Sequence, residues 1–193
     1  MSPALAIPFE KYALTSDGLT RTNAESGTEN GIERPVIRTM SGRYLSRNFV
    51  FEVDVTIPED HGDIAYVGFG AGSTNPGLDN EPSDAFLLRI HNIPNMPFYG
   101  IDATASDPDG GVGFRGAFRR IERIGNYTPG QAMRFRISHQ DGKVTLAVPA
   151  LPAVRTTFDL AQFRDLFDSA DAYLFLSNSS EGTRFTNASL STP

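Results

Sequence analysis

The stretch that decides the fold is Phe49-Val50-Phe51-Glu52-Val53-Asp54-Val55-Thr56-Ile57. Successive side chains of a β-strand point to opposite faces, so its odd-numbered residues, all apolar, share one face. Glu52, Asp54 and Thr56 share the other face, and Pro58 ends the run. This alternation predicts a strand of an antiparallel sheet with one face in the core.

Similar segments recur along the chain with turn-forming residues between them. Strands are predicted at residues 64–70, 85–91, 97–103, 112–124, 155–158, 172–177 and 184–190. The segments 132–138 and 143–148 flank Gln140-Asp141-Gly142, and Asp-Gly between alternating runs predicts a β-hairpin. Residues 71–84 are predicted as a loop, and residues 159–167 as one or two helical turns.

Many short strands and little helix predict an all-β chain, a two-sheet antiparallel β-sandwich of the jelly-roll kind. The 193 residues, 39% of them hydrophobic, can form a sizeable core, and we expect one domain over residues 1–193. The first 35 residues are polar and rich in turn formers. We expect them to wrap a sheet edge or to stay partly mobile.

Charge and composition exclude several classes of function. The net charge is −6 and there is no basic block, which argues against a nucleic-acid partner. No run of residues approaches the roughly 20 apolar residues of a membrane span. Cysteine is absent, so disulfides, thiolate catalysis and cysteine-based zinc sites are excluded.

The beginning of the sequence has neither the basic segment nor the long apolar run of a signal peptide. Two locations stay open on this observation. The protein is cytoplasmic if the sequence is complete, and extracellular or at the cell surface if it is a domain excised from a longer protein. We favour the second.

The order of the strands resembles that of the concanavalin A-like lectin/glucanase superfamily, including its laminin-G-like branch. The similar pieces are residues 49–55, the hairpin at 134–148, and the closing segments 174–177 and 184–190. The resemblance implies a jelly-roll sandwich with a polysaccharide or glycan as ligand or substrate. A fold hosts many functions, so the function has to be argued from a site.

The catalytic motifs of that superfamily are incomplete in this sequence. Its glucanases carry Glu-x-Asp-x-x-Glu or Glu-x-Asp-x-Glu on one strand, and the third acid is missing after Glu52 and Asp54. Jelly-roll alginate lyases carry a Gln-Ile-His strand, and Arg89-Ile90-His91 is similar to it only at Ile-His. Their other motifs, Arg-x-Glu-x-Arg and Tyr-x-Lys-x-Gly-x-Tyr, are not matched.

Incomplete motifs favour a non-catalytic carbohydrate-binding or adhesion module. One alternative is a polysaccharide-degrading enzyme, either a glycoside hydrolase or a lyase on uronate polymers that uses His91 and Arg89. The other alternative is a structural or assembly subunit that forms oligomers, because fourteen phenylalanines are many for one sandwich core.

Alternation also predicts a binding surface. It places Arg89 and His91 opposite the apolar residues of their strand, and it does the same for Arg134 and Arg136. With Glu52 and Asp54 these residues form the candidate binding site, and its arginines suit the carboxylates of anionic sugars. In the alternative interpretation the arginines pair with Glu52 and Asp54 across strands and only stabilise the sheet.

Acidic residues cluster in two predicted loop regions. One group is Asp102, Asp107 and Asp109, and the other is Asp79, Glu81 and Asp84. Calcium takes six to eight oxygen ligands from carboxylates and carbonyls in such turns. The first group is the candidate site for a structural calcium, although solvated turns have the same composition.

Overall fold

A computed structural model describes most of the chain. The described residues are 4–6, 12–16, 18–21, 36–59, 64–75, 81–92, 99–106, 118–151, 155–167, 171–178 and 182–192. The strands are β1 (Leu5–Ala6), β2 (Tyr12–Thr15), β3 (Gly18–Arg21), β4 (Val36–Thr39), β5 (Phe49–Thr56), β6 (Ala65–Asn75), β7 (Glu81–Asn92), β8 (Tyr99–Ser106), β9 (Phe118–Tyr127), β10 (Met133–Gln140), β11 (Lys143–Ala147), β12 (Arg155–Asp159), β13 (Tyr173–Asn178) and β14 (Arg184–Ser191). A 3-10 helical segment spans Leu160–Phe167.

Within the described residues the strands form two seven-stranded sheets. Sheet A has the order β1-β4-β13-β6-β7-β8-β9, and sheet B has the order β12-β11-β10-β5-β14-β3-β2. Neighbouring strands in both sheets are antiparallel. The predicted two-sheet antiparallel sandwich is therefore confirmed, as is the short helical segment.

The core lies between the two sheets and is built from alternate residues of each strand. Phe51, Val53, Phe135 and Ile137 of sheet B, with Phe86 and Leu88 of sheet A, are 0% exposed and belong to one apolar cluster. Each phenylalanine side chain that the structure describes is buried. The described phenylalanines therefore do not form the contact surface that their number suggested.

The predicted hairpin is confirmed between β10 and β11. Asp141 and Gly142 form its turn with φ values of 50° and 77°. A two-residue turn of this kind needs left-handed backbone at both central positions, and Asp-Gly adopts it readily. The turn fixes the register that pairs Arg136 with Ala147.

The predicted loop at residues 71–84 is partly wrong. β6 continues to Asn75 and β7 already begins at Glu81. A register shift between Gly70 and Ser73 lets the two strands keep pairing, so Pro82 lies opposite Thr74. The proline suggested a loop because it cannot donate a backbone hydrogen bond, but a strand tolerates it near an irregularity.

The described N-terminal residues lie at sheet edges. β1 is the outermost strand of sheet A, and β2 is the outermost strand of sheet B. The hydroxyl of Tyr12 in β2 donates to Asn178 Oδ1 in β13 at 2.6 Å, which links the two sheets. No helix within the described ranges has the length and apolar character needed to cross a membrane.

Candidate functional site

The predicted cationic surface is divided between the two sheets. Arg89 and His91 are in β7 of sheet A, whereas Arg134 and Arg136 are in β10 of sheet B. Each pair lies on the face of its sheet that points away from the core. The prediction of one shared surface is wrong because alternation fixes the face that a residue takes but not the sheet that its strand joins.

On sheet B the charged residues pair with one another. Arg134 Nη1 donates to Asp54 Oδ1 at 2.9 Å, and Arg136 Nε donates to Glu52 Oε1 at 2.6 Å. Asn187 Nδ2 also donates to Asp54, at 2.8 Å. The cross-strand ion pairs that the alternative interpretation expected are therefore present for these four charged residues.

The outer face of sheet A carries a second cluster of buried apolar side chains. Tyr66, Leu87 and Phe175 on this face are 0% exposed and contact one another as a cluster. The ring of Phe175 covers Gly68, where an added Cβ would lie 2.1 Å from the ring. The absence of a side chain at Gly68 is what lets the aromatic ring lie against the strand.

Charged side chains are embedded in this same face. The register of β6, β7 and β8 places Tyr66, Arg89 and Asp102 in one row across the sheet. Arg89 Nη2 donates to Asp102 Oδ2 at 3.0 Å, and His91 Nε2 lies 2.7 Å from the same oxygen. We call Arg89, His91 and Asp102 the sheet A cluster.

The side chains of the sheet A cluster differ in their exposure to solvent. The side chains of Arg89 and Asp102 are each 3% exposed, whereas that of His91 is 17% exposed. A carboxylate only accepts hydrogen bonds, so the Nε2 atom that faces Asp102 carries the hydrogen. In the neutral imidazole Nδ1 then carries the lone pair. The cluster is thus a buried ion pair that orients a partly exposed histidine.

The prediction that Arg89 pairs with Glu52 and Asp54 is wrong. Glu52 and Asp54 lie in the other sheet, and the acid that holds Arg89 is Asp102. A signal for this pair was present, because residues 97–103 were predicted as a strand in which Asp102 alternates with Ile101 and Ala103. A buried acid needs a positive partner, but choosing that partner requires the strand register.

The calcium prediction is corrected for Asp102. This residue lies within β8 and not in a loop, it is 2% exposed, and its carboxylate is held by Arg89 and His91. Asp107 and Asp109 lie outside the described residues. Across the part of the chain that the structure describes, no group of three histidine or acidic side chains has the placement of a metal site.

A cavity of about 500 Å³ lies apart from the sheet A cluster. Its walls come from β1, β2, β3 and β14, and none of the predicted site residues is among its described lining. The lining is apolar except for four short polar side chains, Thr15, Ser16, Thr186 and Asn187. It holds no charged side chain among the described residues, in contrast to the sheet A cluster.

Comparison with known proteins identifies the fold. No family model and no curated protein sequence matches the chain. Among solved structures, an alginate lyase from Pseudomonas aeruginosa aligns with a TM-score of 0.61 at 16% identity, over 95% of this chain and 86% of the lyase. An alginate lyase from Klebsiella pneumoniae aligns with a TM-score of 0.58 at 12% identity, over 94% and 84%.

A carbohydrate-binding module from Bacillus subtilis, CBM66, aligns with a TM-score of 0.52 at 11% identity, over 98% of this chain and 96% of the module. These similarities show that the protein has the concanavalin A-like sandwich fold, as the order of its strands predicted. At such low identities they show the fold alone.

Proposed function

We propose that the protein is a carbohydrate-binding module whose ligand contacts the outer face of sheet A at His91. The observation that carries the proposal is the sheet A cluster, in which a buried ion pair holds a partly exposed imidazole. Burying two charges costs several kcal/mol of desolvation, which their mutual attraction repays only with good geometry. This desolvation cost has a functional explanation if the buried pair holds a ligand-contacting side chain in one fixed orientation.

The similar solved structures support a carbohydrate ligand. Two of those described above are alginate lyases and one is a carbohydrate-binding module, and all three share this fold. Sugar sites use a small number of well-placed polar groups to fix the ligand. His91, held at Nε2 by Asp102, is a group of this kind.

The burial of Arg89 and its bond to Asp102 favour binding over catalysis. A lyase has to neutralise the carboxylate of its uronate substrate while a base removes the neighbouring proton. The guanidinium of Arg89 is buried and bonded to Asp102, so it would have to leave that acid to form a fork with a substrate carboxylate. The sheet A cluster therefore offers an oriented imidazole but no available cation among its described side chains.

Calorimetric titration against neutral and acidic polysaccharides tests this proposal. We expect binding to at least one of them, and we expect His91→Phe to weaken it by about tenfold, the effect of one lost polar contact. Phenylalanine keeps the ring and removes both nitrogens. Arg155→Ala is the control, because Arg155 is exposed on β12 of sheet B and its loss should leave binding unchanged. A wild-type protein that binds none of these polymers contradicts the proposal.

A second candidate function is a uronate lyase with His91 as the base. The contact between His91 Nε2 and Asp102 favours it, because it leaves the lone pair on Nδ1 and an acid behind the ring to stabilise the imidazolium. Lyase cleavage creates a conjugated double bond, so ultraviolet absorbance rises when enzyme and substrate are mixed. A rise with alginate or polygalacturonate that disappears in His91→Phe would establish the lyase, and an unchanged absorbance would reject it.

A further inference from the structure

We infer that β14 binds an extended peptide of a partner protein, which joins sheet B as an additional strand beside residues 187–191. We call these residues the open edge of β14. The apolar cavity next to the open edge receives the side chains of the peptide that point inward. This site is separate from the sheet A cluster and does not depend on the carbohydrate ligand proposed above. An interrupted strand pairing, a partly uncovered core and an uncharged cavity support it.

The first observation is that β14 is paired to its end on one side only. Toward β5 the pairing continues to Ser191, which lies opposite Val50. Toward β3 it ends at Phe185, because β3 begins at Gly18 and the structure describes no other strand on this side. Alternate residues of the open edge therefore present backbone N–H and C=O groups that no described strand bonds.

A β-bulge explains why the pairing with β3 stops at this point. The register of β14 shifts between Thr186 and Ser189, and Asn187 has a left-handed backbone conformation with a φ of 51°. An extra residue of this kind bends a strand and often terminates pairing. From Ser189 onwards β14 pairs regularly with β5, so its other edge has the form of an ordinary strand that can accept a partner.

The second observation is that the core is incompletely covered beside the open edge. Leu190 lies opposite Phe51 of β5 and so points between the sheets, yet it is only half-buried, whereas Phe51 is 0% exposed. Leu5 of β1, on the facing sheet, is also half-buried. Leucine side chains that point into a core are usually buried completely. A further strand that covers them would add hydrophobic stabilisation.

The third observation is that the cavity of about 500 Å³ lies beside the bulge. Its apolar walls include Leu5, Leu19, Phe185 and Ala188, together with Leu14, which is 67% exposed. Ligand pockets commonly have volumes of about 300–1,000 Å³ and mainly apolar walls. No charged side chain lies among the described walls, so the cavity suits apolar side chains and excludes charged ones.

The open edge and the cavity together define the class of ligand. A small apolar molecule fills the cavity but leaves the backbone groups of β14 without partners. An extended peptide satisfies both, because its own N–H and C=O groups bond to the strand while alternate side chains point into the cavity. The peptide therefore has apolar residues at every second position.

The order of the strands favours a single peptide strand over a second folded copy of the protein. β3 and β2 lie outside β14 in sheet B, so the open edge is recessed by the width of two strands, about 10 Å. A single extended segment reaches such a recess. A folded copy that approaches along the same side meets the β2–β3 hairpin first.

Calorimetric titration with synthetic peptides tests this inference. The probe is the acetylated and amidated peptide Lys-Thr-Leu-Thr-Leu-Thr-Lys, and we expect it to bind the wild-type protein. An analogue that is N-methylated at each central residue keeps the side chains and loses the backbone donors, so it should bind at least about tenfold more weakly. An analogue with lysine in place of both leucines should weaken by at least about tenfold as well. Its extra positive charge alone would favour binding to a protein of net charge −6.

Ala188→Phe provides the corresponding test on the protein. The larger side chain occupies the cavity that Ala188 lines, so we expect peptide affinity to fall by at least about tenfold. Ala147→Phe is the matched control, because Ala147 is half-buried on β11 and is not among the described walls of the cavity. Hydrogen exchange locates the bound peptide, since the amides of residues 187–191 should exchange more slowly in its presence.

Four results overturn the inference. They are failure of the leucine peptide to bind, equal binding of its N-methylated analogue, slowed exchange only at places other than β14, and wild-type dimers that Ala188→Phe dissociates. The last result would show that a second copy occupies the open edge. The peptide analogues need no substitution in the protein, so they decide the matter even if Ala188→Phe does not fold. None of these results bears on carbohydrate binding at sheet A.

Discussion

Replacing Asp102 with alanine should destabilise the protein far more than the equivalent change on sheet B. The side chains of the Arg89–Asp102 pair are each 3% exposed, whereas those of Arg136 and Glu52 are 47% and 20% exposed. Removing one partner of a buried pair leaves an uncompensated buried charge, which costs about 3–5 kcal/mol. Breaking an exposed pair costs about 0–1 kcal/mol. Asp102→Ala and Glu52→Ala are therefore a matched comparison.

Urea unfolding followed by circular dichroism measures the difference. With an m-value of about 2–3 kcal/mol/M, Asp102→Ala should lower the unfolding midpoint by about 1–2.5 M. Glu52→Ala should lower it by no more than about 0.5 M. The double variant Arg89→Met, Asp102→Leu should recover part of the loss, because it replaces the buried charges with apolar groups of similar size. Equal midpoints for the two single variants would refute the reasoning.

Three further changes test the packing and the hydrogen bonds of the fold by the same urea titration. Gly68→Ala should cost about 1–3 kcal/mol, because the new methyl group would overlap the ring of Phe175, and an unchanged midpoint would show that the ring moves aside freely. Tyr127→Phe should cost about 1–3 kcal/mol, since its buried hydroxyl accepts from the backbone N–H of Ile57 at 2.8 Å. Thr104→Val should leave stability unchanged or raise it by about 1 kcal/mol, because among the described residues the buried hydroxyl of Thr104 has no hydrogen-bond partner. A loss of stability in that variant would contradict this account of the hydroxyl.

The strands of sheet B were predictable because their pattern is local. β5 alternates between the core and a polar face, and the Asp-Gly turn fixes how β10 meets β11. The pairing of Arg134 with Asp54 then follows from two adjacent strands whose polar faces coincide. Alternation, turn chemistry and charge agree here, so the sequence defines both the structure and its surface.

The sheet A cluster was less predictable because its determinants are not local. Residues 85–90 of β7 are buried on both faces, so the outward position of Arg89 did not mean exposure. Its partner Asp102 comes from the next strand along the chain, and it was named as a candidate calcium ligand. Strand order and burial decide the role of such residues, and neither can be read from alternation in one segment.

The position of β14 has a consequence for how the protein is made. This strand lies between β5 and β3 in sheet B, and Asn187 contacts Asp54 across 133 residues of sequence. While a ribosome is still synthesising the middle of the chain, one edge of β5 has no partner there to bond with. Nascent chains should therefore depend on chaperones until residues 184–191 emerge. Refolding in vitro should take milliseconds to seconds, as in other β-sandwiches whose paired strands are distant in sequence.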